Sequence, residues 1–100
     1  MKYTIDGRAT ASFRIELARL IREADPLKLI RIGAPGNEYD PEVGTILPRL
    51  PNASAAHDVR RIVHEEFVRW FDADIAGPED AYEAVAERIW FAWKERGTAG

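Results

Sequence analysis

The residue that most needs a chemical account is Glu66. Projected onto a helix over residues 54–71, it falls between Val59 and Ile62, inside an apolar stripe completed by Val63, Phe67 and Trp70. A carboxylate there is either buried or reaches round the edge of the stripe. If buried it needs donors, because an unpaired charge in a low-dielectric interior is very costly. Arg31, Tyr39, a tryptophan indole N–H and the backbone amides of a nearby glycine-rich loop are the candidates. In a cleft such a group can act as a general acid or base. Since no nucleophile or metal partner stands near it in sequence, the simpler expectation is a carboxylate that ties a loop to the helices.

That loop is Gly33-Ala34-Pro35-Gly36-Asn37-Glu38-Tyr39-Asp40, the strongest punctuation in the chain. Its backbone N–H groups could bind an anion at the start of the following helix. It lacks the Lys and Ser/Thr of a phosphate-binding P-loop and is not Gly-x-Gly-x-x-Gly. The plainer expectation is a tight turn whose Glu38 and Asp40 satisfy helix-end amides. Arg31, Glu38, Tyr39, Asp40 and Glu66 are therefore the candidate binding set, with no catalytic residue assigned.

Two further patterns bear on function. In Ile89-Trp90-Phe91-Ala92-Trp93, Phe91 lies opposite the inward stripe and Trp90 at its margin. Exposed aromatics anchor interfaces, so Trp90 and Phe91 are the interface candidates. Covering by Tyr3 and Ile5 of an N-terminal arm is the competing expectation, and a weak homodimer through this face is a third. His57 and His64 are two turns apart, too far to share a metal without further ligands, and His-Glu-x-x-His is not present. No metal and no cofactor is expected, and nothing marks a Ser/His/Asp triad.

Composition narrows the classes. The net charge is −3, which gives no basic footprint for nucleic acid. Residues 1–50 carry eight basic and seven acidic side chains, residues 51–100 six and ten. Asp72, Asp74, Glu79, Asp80, Glu83 and Glu87 form a stretch without a base, which suits a helix start and could attract a basic partner. There is no cysteine, hence no disulfide, thiolate zinc site or cysteine nucleophile. No signal-peptide core and no apolar run of spanning length is seen, so the expectation is a cytoplasmic protein without membrane contact.

The elements that must position these groups are helical. Phe13, Leu17, Leu20, Ile21 and Ala24 share one face of a helix over 12–24, with Ile15 on the other side. Asp25-Pro26 reads as an N-cap and first helical residue for a short segment to about Arg31, with a short strand as the alternative. Asp40-Pro41 repeats the signal before Val43, Ile46, Leu47 and Leu50, and Pro48 should end or kink that helix near Leu47. Ser54 is the expected cap of the third helix, with Asp58–Arg61 and Glu65–Arg69 as outer ion pairs. Gly77-Pro78 should start the fourth, which carries Tyr82, Val85, Ala86, Ile89 and Trp93 inward and stops at Gly97. The expected fold is all-α: one domain over 1–100, a small bundle of four main helices with a short extra helical turn and a Gly/Pro-rich loop. An arm at 1–9 and a frayed tail at 97–100 flank it. Trp70, Trp93, Phe67, Phe13 and Tyr82 should fill its core, so replacing Trp70 by Ala should be severe.

The stretch Asp25-Pro26-Leu27, then Gly33-Ala34-Pro35-Gly36-Asn37-Glu38-Tyr39-Asp40-Pro41-Glu42-Val43, resembles a family of small bacterial helical proteins of unknown function that carry Asp-Pro-Leu followed by Gly-Ala-Pro-x-x-Glu-Tyr and an acid at a helix start. The likeness spans roughly residues 13–93, and its specific part is the 33–40 loop. Asn37 stands where that pattern has an acid, which removes one carboxylate from the loop. The resemblance implies a small α-helical fold and no activity. By analogy of size and charge, some similar small acidic proteins neutralise toxins. The functional expectation is a non-catalytic bacterial interaction or regulatory domain with an unidentified protein partner, immunity-like in its narrowest form. The alternative is a small-ligand or enzymatic site at Gly33–Asp40 with Glu66.

Overall fold

The computed structural model describes residues 7–28, 33 and 39–99, and the side chains of 12–28, 33 and 39–96. Four helices have seven or more residues: α1 (Gly7–Ala24), α2 (Asp40–Ile46), α3 (Ala56–Phe71) and α5 (Glu83–Ala99). The short α4 (Ala73–Ala76) lies between α3 and α5, and two 3₁₀ segments, Leu47–Asn52 and Glu79–Tyr82, precede α3 and α5. No strand occurs among the described residues. The chain is a small all-α domain, with α3 packed against α2, α4, α5 and both 3₁₀ segments, and α1 closing the other side against α2, the first 3₁₀ segment and α5.

The apolar stripes place the core largely where their periodicity puts it. Phe13, Leu17, Leu20 and Ile21 meet Val43, Ile46, Leu47 and Leu50, and both meet Val59, Ile62, Val63, Phe67, Tyr82, Val85, Ala86 and Ile89. Phe67 is the aromatic hub, 5.2 Å from the Tyr82 ring and 5.9 Å from those of Tyr39 and Phe71. Trp93 lies edge-on to Phe13 at 5.2 Å. Trp70 departs from the stripe: it is 47% exposed, and its indole N–H donates to Thr45 Oγ1 at 3.1 Å. It lies in the last turn of α3, where Val68 and Phe71 rather than Trp70 pack against the core. Ala24 is exposed as well.

The helix ends differ most from expectation. α1 starts at Gly7, so residues 7–9 of the expected arm are helical, while Tyr3 and Ile5 lie outside the described residues. Asp25 does not cap a new helix but terminates α1. Its backbone is left-handed (φ 47°), which Asp tolerates better than most residues, and its N–H still reaches Ile21 O at 2.8 Å. Pro26 then cannot continue the helix, and Lys28 N–H closes a turn on Asp25 O at 2.9 Å. Residues 26–28 are thus a turn rather than a helix; 29–32 lie outside the described residues. The extra helical turn sits instead at α4, whose start is capped by Asp72 Oδ1 accepting Ile75 N–H at 3.1 Å.

α2 ends at Ile46 and tightens to 3₁₀ geometry through Pro48 and Pro51, as a proline inside the pattern requires. Its N-cap position is Tyr39, with Asp40 the first helical residue and no side-chain cap bond. At α3 the cap position is Ala55, and Ser54 acts from the other direction: its N–H (2.9 Å) and Oγ (3.0 Å) donate to Asp58 Oδ2 in the first turn. Those bonds, the backbone one foremost, hold the Asp58 carboxyl below its ordinary range. Gly77, at φ 78°, ends α4 in a conformation open to glycine, and α5 begins only after the 3₁₀ turn. Gly97 does not stop α5, which runs on to Ala99.

Candidate functional site

Glu66 is the group from which a polar site is built. α3 carries it into the interior at 2% exposure, the first of the two alternatives its place in the stripe leaves open. Its donor is Arg49, from outside the candidate set: Nη1 reaches Glu66 Oε2 at 2.8 Å, and Nη2 reaches Glu65 Oε1 at 2.7 Å. The prolines at 48 and 51 shape the 3₁₀ segment that carries Arg49 across α3, so one guanidinium spans two neighbouring carboxylates. Their hydrogen bonds, Glu65 first, hold the Arg49 guanidinium even more firmly protonated than usual. Arg69, one turn on from Glu66, brings Nη1 to 3.7 Å from Oε1, an ion pair but not a hydrogen bond. The outer pair expected between Glu65 and Arg69 is replaced by Glu65–Arg49, while Asp58–Arg61 forms at 3.3 Å. An open depression of about 570 Å³ lies over this cluster, lined by Gly44, Thr45, Pro48, Arg49, Glu65, Glu66 and Arg69.

The other members of the candidate set serve elsewhere or cannot be placed. Arg31 and Glu38 lie outside the described residues, as do 34–37 of the loop. Tyr39 is buried and its hydroxyl donates to Asp25 Oδ1 at 2.5 Å while accepting Leu27 N–H at 3.1 Å. It thereby fastens the end of α1 to the start of α2. Asp40 is exposed. Glu42 is a second buried carboxylate, on which the sequence carries no expectation. Its position one residue before Val43, in a helix of only seven residues, gave too little periodicity to place it inside.

His64 and His57 have separate surroundings. His64 Nε2 lies 2.9 Å from Gly77 O and its ring packs 5.6 Å from that of Tyr82. His57 is exposed, 3.4 Å from Asp58. Among the described residues no group of three or more His, Asp or Glu could hold a metal ion, and no helix is long and apolar enough to cross a membrane.

A second surface lies between α1 and α5. Phe91 is 61% exposed and Trp90 half-buried, with Lys94 Nζ 5.9 Å from the Trp90 ring centre. Phe91 borders a groove floored by Leu20, Ala84 and Ala92 and edged by Glu16, Glu87 and Arg88. The edge is held by a charge ladder: Arg88 to Glu23 at 2.9 Å, Glu23 to Arg19 at 2.9 Å, Arg19 to Glu16 at 2.6 Å. Of the acidic stretch, Asp72 caps α4 and Arg60 pairs with Glu79 at 2.8 Å and with Glu83 at 4.0 Å, whereas Asp74, Asp80 and Glu87 are exposed.

No protein-family model matches the chain, and neither the curated proteins nor the solved structures contain a match.

Proposed function

We propose that the chain is a non-catalytic protein-interaction domain whose α1–α5 groove receives a basic, apolar-anchored segment of another protein. The observation that carries this reading is Phe91. A phenylalanine 61% exposed beside an apolar floor is the type of anchor that dominates interfaces. The groove edge supplies Glu16 and Glu87 beside Arg88, whose charge Glu23 pairs, and the chain is acidic overall at net charge −3. That field favours approach of a cationic segment and disfavours an acidic one. Toxin neutralisation in a bacterial host is the narrowest form of the same reading.

The test is a titration of the ¹⁵N-labelled chain with a synthetic amphipathic peptide of leucine and lysine, and with its leucine–glutamate counterpart. Shifts confined to Leu20, Ala84, Glu87, Phe91 and Ala92, produced by the basic peptide and weakened by salt, are expected. Equal shifts from both peptides, or none from either, contradict the reading. The same resonances moving with protein concentration alone replace the foreign partner with a second copy of the chain.

A further inference from the structure

We propose that the depression between α2 and α3 binds a small zwitterion of the α-amino-acid class, with Glu66 Oε1 taking the ammonium and Arg69 the carboxylate. This site is on a different face from the Phe91 groove and does not rest on it. Glu66 uses Oε2 for Arg49, but Oε1, buried with it, accepts no hydrogen bond among the described residues. A buried acceptor left without a donor is costly, so any donor that reaches it is strongly favoured. Beside it, the Arg69 guanidinium is 72% exposed and touches Glu66 only at 3.7 Å. Its planar fork of donors, suited to a carboxylate, makes no hydrogen bond among the described residues.

A buried acceptor without a hydrogen bond therefore stands next to exposed guanidinium donors that no protein acceptor holds in place. The complement is a ligand with a cationic donor and an anionic acceptor three bonds apart, as the ammonium nitrogen and carboxylate oxygen of an α-amino acid are. Charge selects against simpler ligands. A lone anion meets Glu65 and Glu66, and a lone cation meets Arg49 and Arg69, whereas a zwitterion adds no net charge to a cluster of two arginines and two glutamates. The open volume, about 570 Å³, is that of a small-molecule site. Thr45 is a wall rather than a contact, because its hydroxyl already donates to Glu42 O at 3.2 Å and accepts from the Trp70 indole. Arg69 must turn outward to admit the ligand, and its exposure leaves it free to do so.

The experiment titrates the ¹⁵N-labelled full chain with glycine, glycinamide and acetate, reading the Arg69 Nε–H, the Trp70 indole N–H and the Glu66 amide. Saturable shifts with glycine, at least tenfold weaker with glycinamide and with acetate, are expected. Arg69→Ala, a surface change that leaves the fold intact, should weaken glycine binding at least tenfold, as should Glu66→Gln. An absence of saturable shift at tens of millimolar glycine overturns the proposal. Acetate matching glycine makes this a plain anion site and also overturns it, as does unchanged glycine binding in Arg69→Ala.

Discussion

Removing the Arg49 guanidinium while keeping its stem, as in Arg49→Met, isolates the interaction around which the polar cluster is built. Glu66 is buried at 2% exposure and Arg49 supplies its 2.8 Å hydrogen bond. Stripping the partner from a fully buried ion pair costs about 3–5 kcal/mol. Arg49 is itself 36% exposed, so water partly replaces it, and Arg69 can close from 3.7 Å. Both effects reduce the loss to about 2 kcal/mol, well above the ~0–1 kcal/mol of an exposed pair. For a domain of this size that is a fall in Tm of roughly 8–16 °C. Urea and thermal unfolding of three variants separate the contributions. Glu65→Gln, which breaks only the exposed half of the clamp, should cost less than about 1 kcal/mol. The pair Arg49→Met with Glu66→Met should recover to within about 1 kcal/mol of the parent, since apolar groups of similar volume replace a buried pair at little net cost. A loss under about 0.5 kcal/mol for Arg49→Met, or a double variant no more stable than Arg49→Met alone, refutes the reasoning.

Three other outcomes follow from the packing. Tyr39→Phe removes the hydroxyl that joins the end of α1 to α2; its bond to the Asp25 carboxylate sets the loss at about 2 kcal/mol, read from denaturant midpoints. Trp70→Ala should be mild, below about 1.5 kcal/mol, because the ring is half in solvent, and a loss above about 3 kcal/mol places it in the core after all. Burial pushes the Tyr82 phenol from 10.0 up to about 12. Unfolded chains then ionise this group first, so its contribution is intact below pH 10 and is lost as pH rises from there through 12. Stability measured across that range should fall less steeply in Tyr82→Phe than in the parent, once the lost bond from its hydroxyl to Ala76 O is subtracted.

Sequence periodicity located most of the core because Phe13, Leu17, Val59, Ile62, Phe67 and Ile89 repeat at helical spacing in segments long enough to define a face. It also puts Phe91 outside and leaves Glu66 either buried or reaching round the edge of the stripe, and the structure buries it. Residues whose local chemistry has two meanings were harder. Asp-Pro starts a helix at Asp40-Pro41 and ends one at Asp25-Pro26; the choice depends on the left-handed turn that Tyr39 holds from fourteen residues away. The partner of Glu66 is illegible for a different reason. Arg49 lies seventeen residues before it, in a proline-bent segment with no helical register to say which way its side chain points. Periodicity puts Trp70 in the stripe, but it cannot show that Val68 and Phe71 take the packed side of the last turn of α3.

The central claim, that Phe91 is present for a partner rather than for the fold, is tested most directly by Phe91→Ser with two readouts on one sample. The exposed ring predicts an unfolding free energy within about 0.5 kcal/mol of the parent. Binding of the leucine–lysine peptide should be lost at the same time. A protein that is destabilised well beyond that margin, or that binds the peptide as before, contradicts the account.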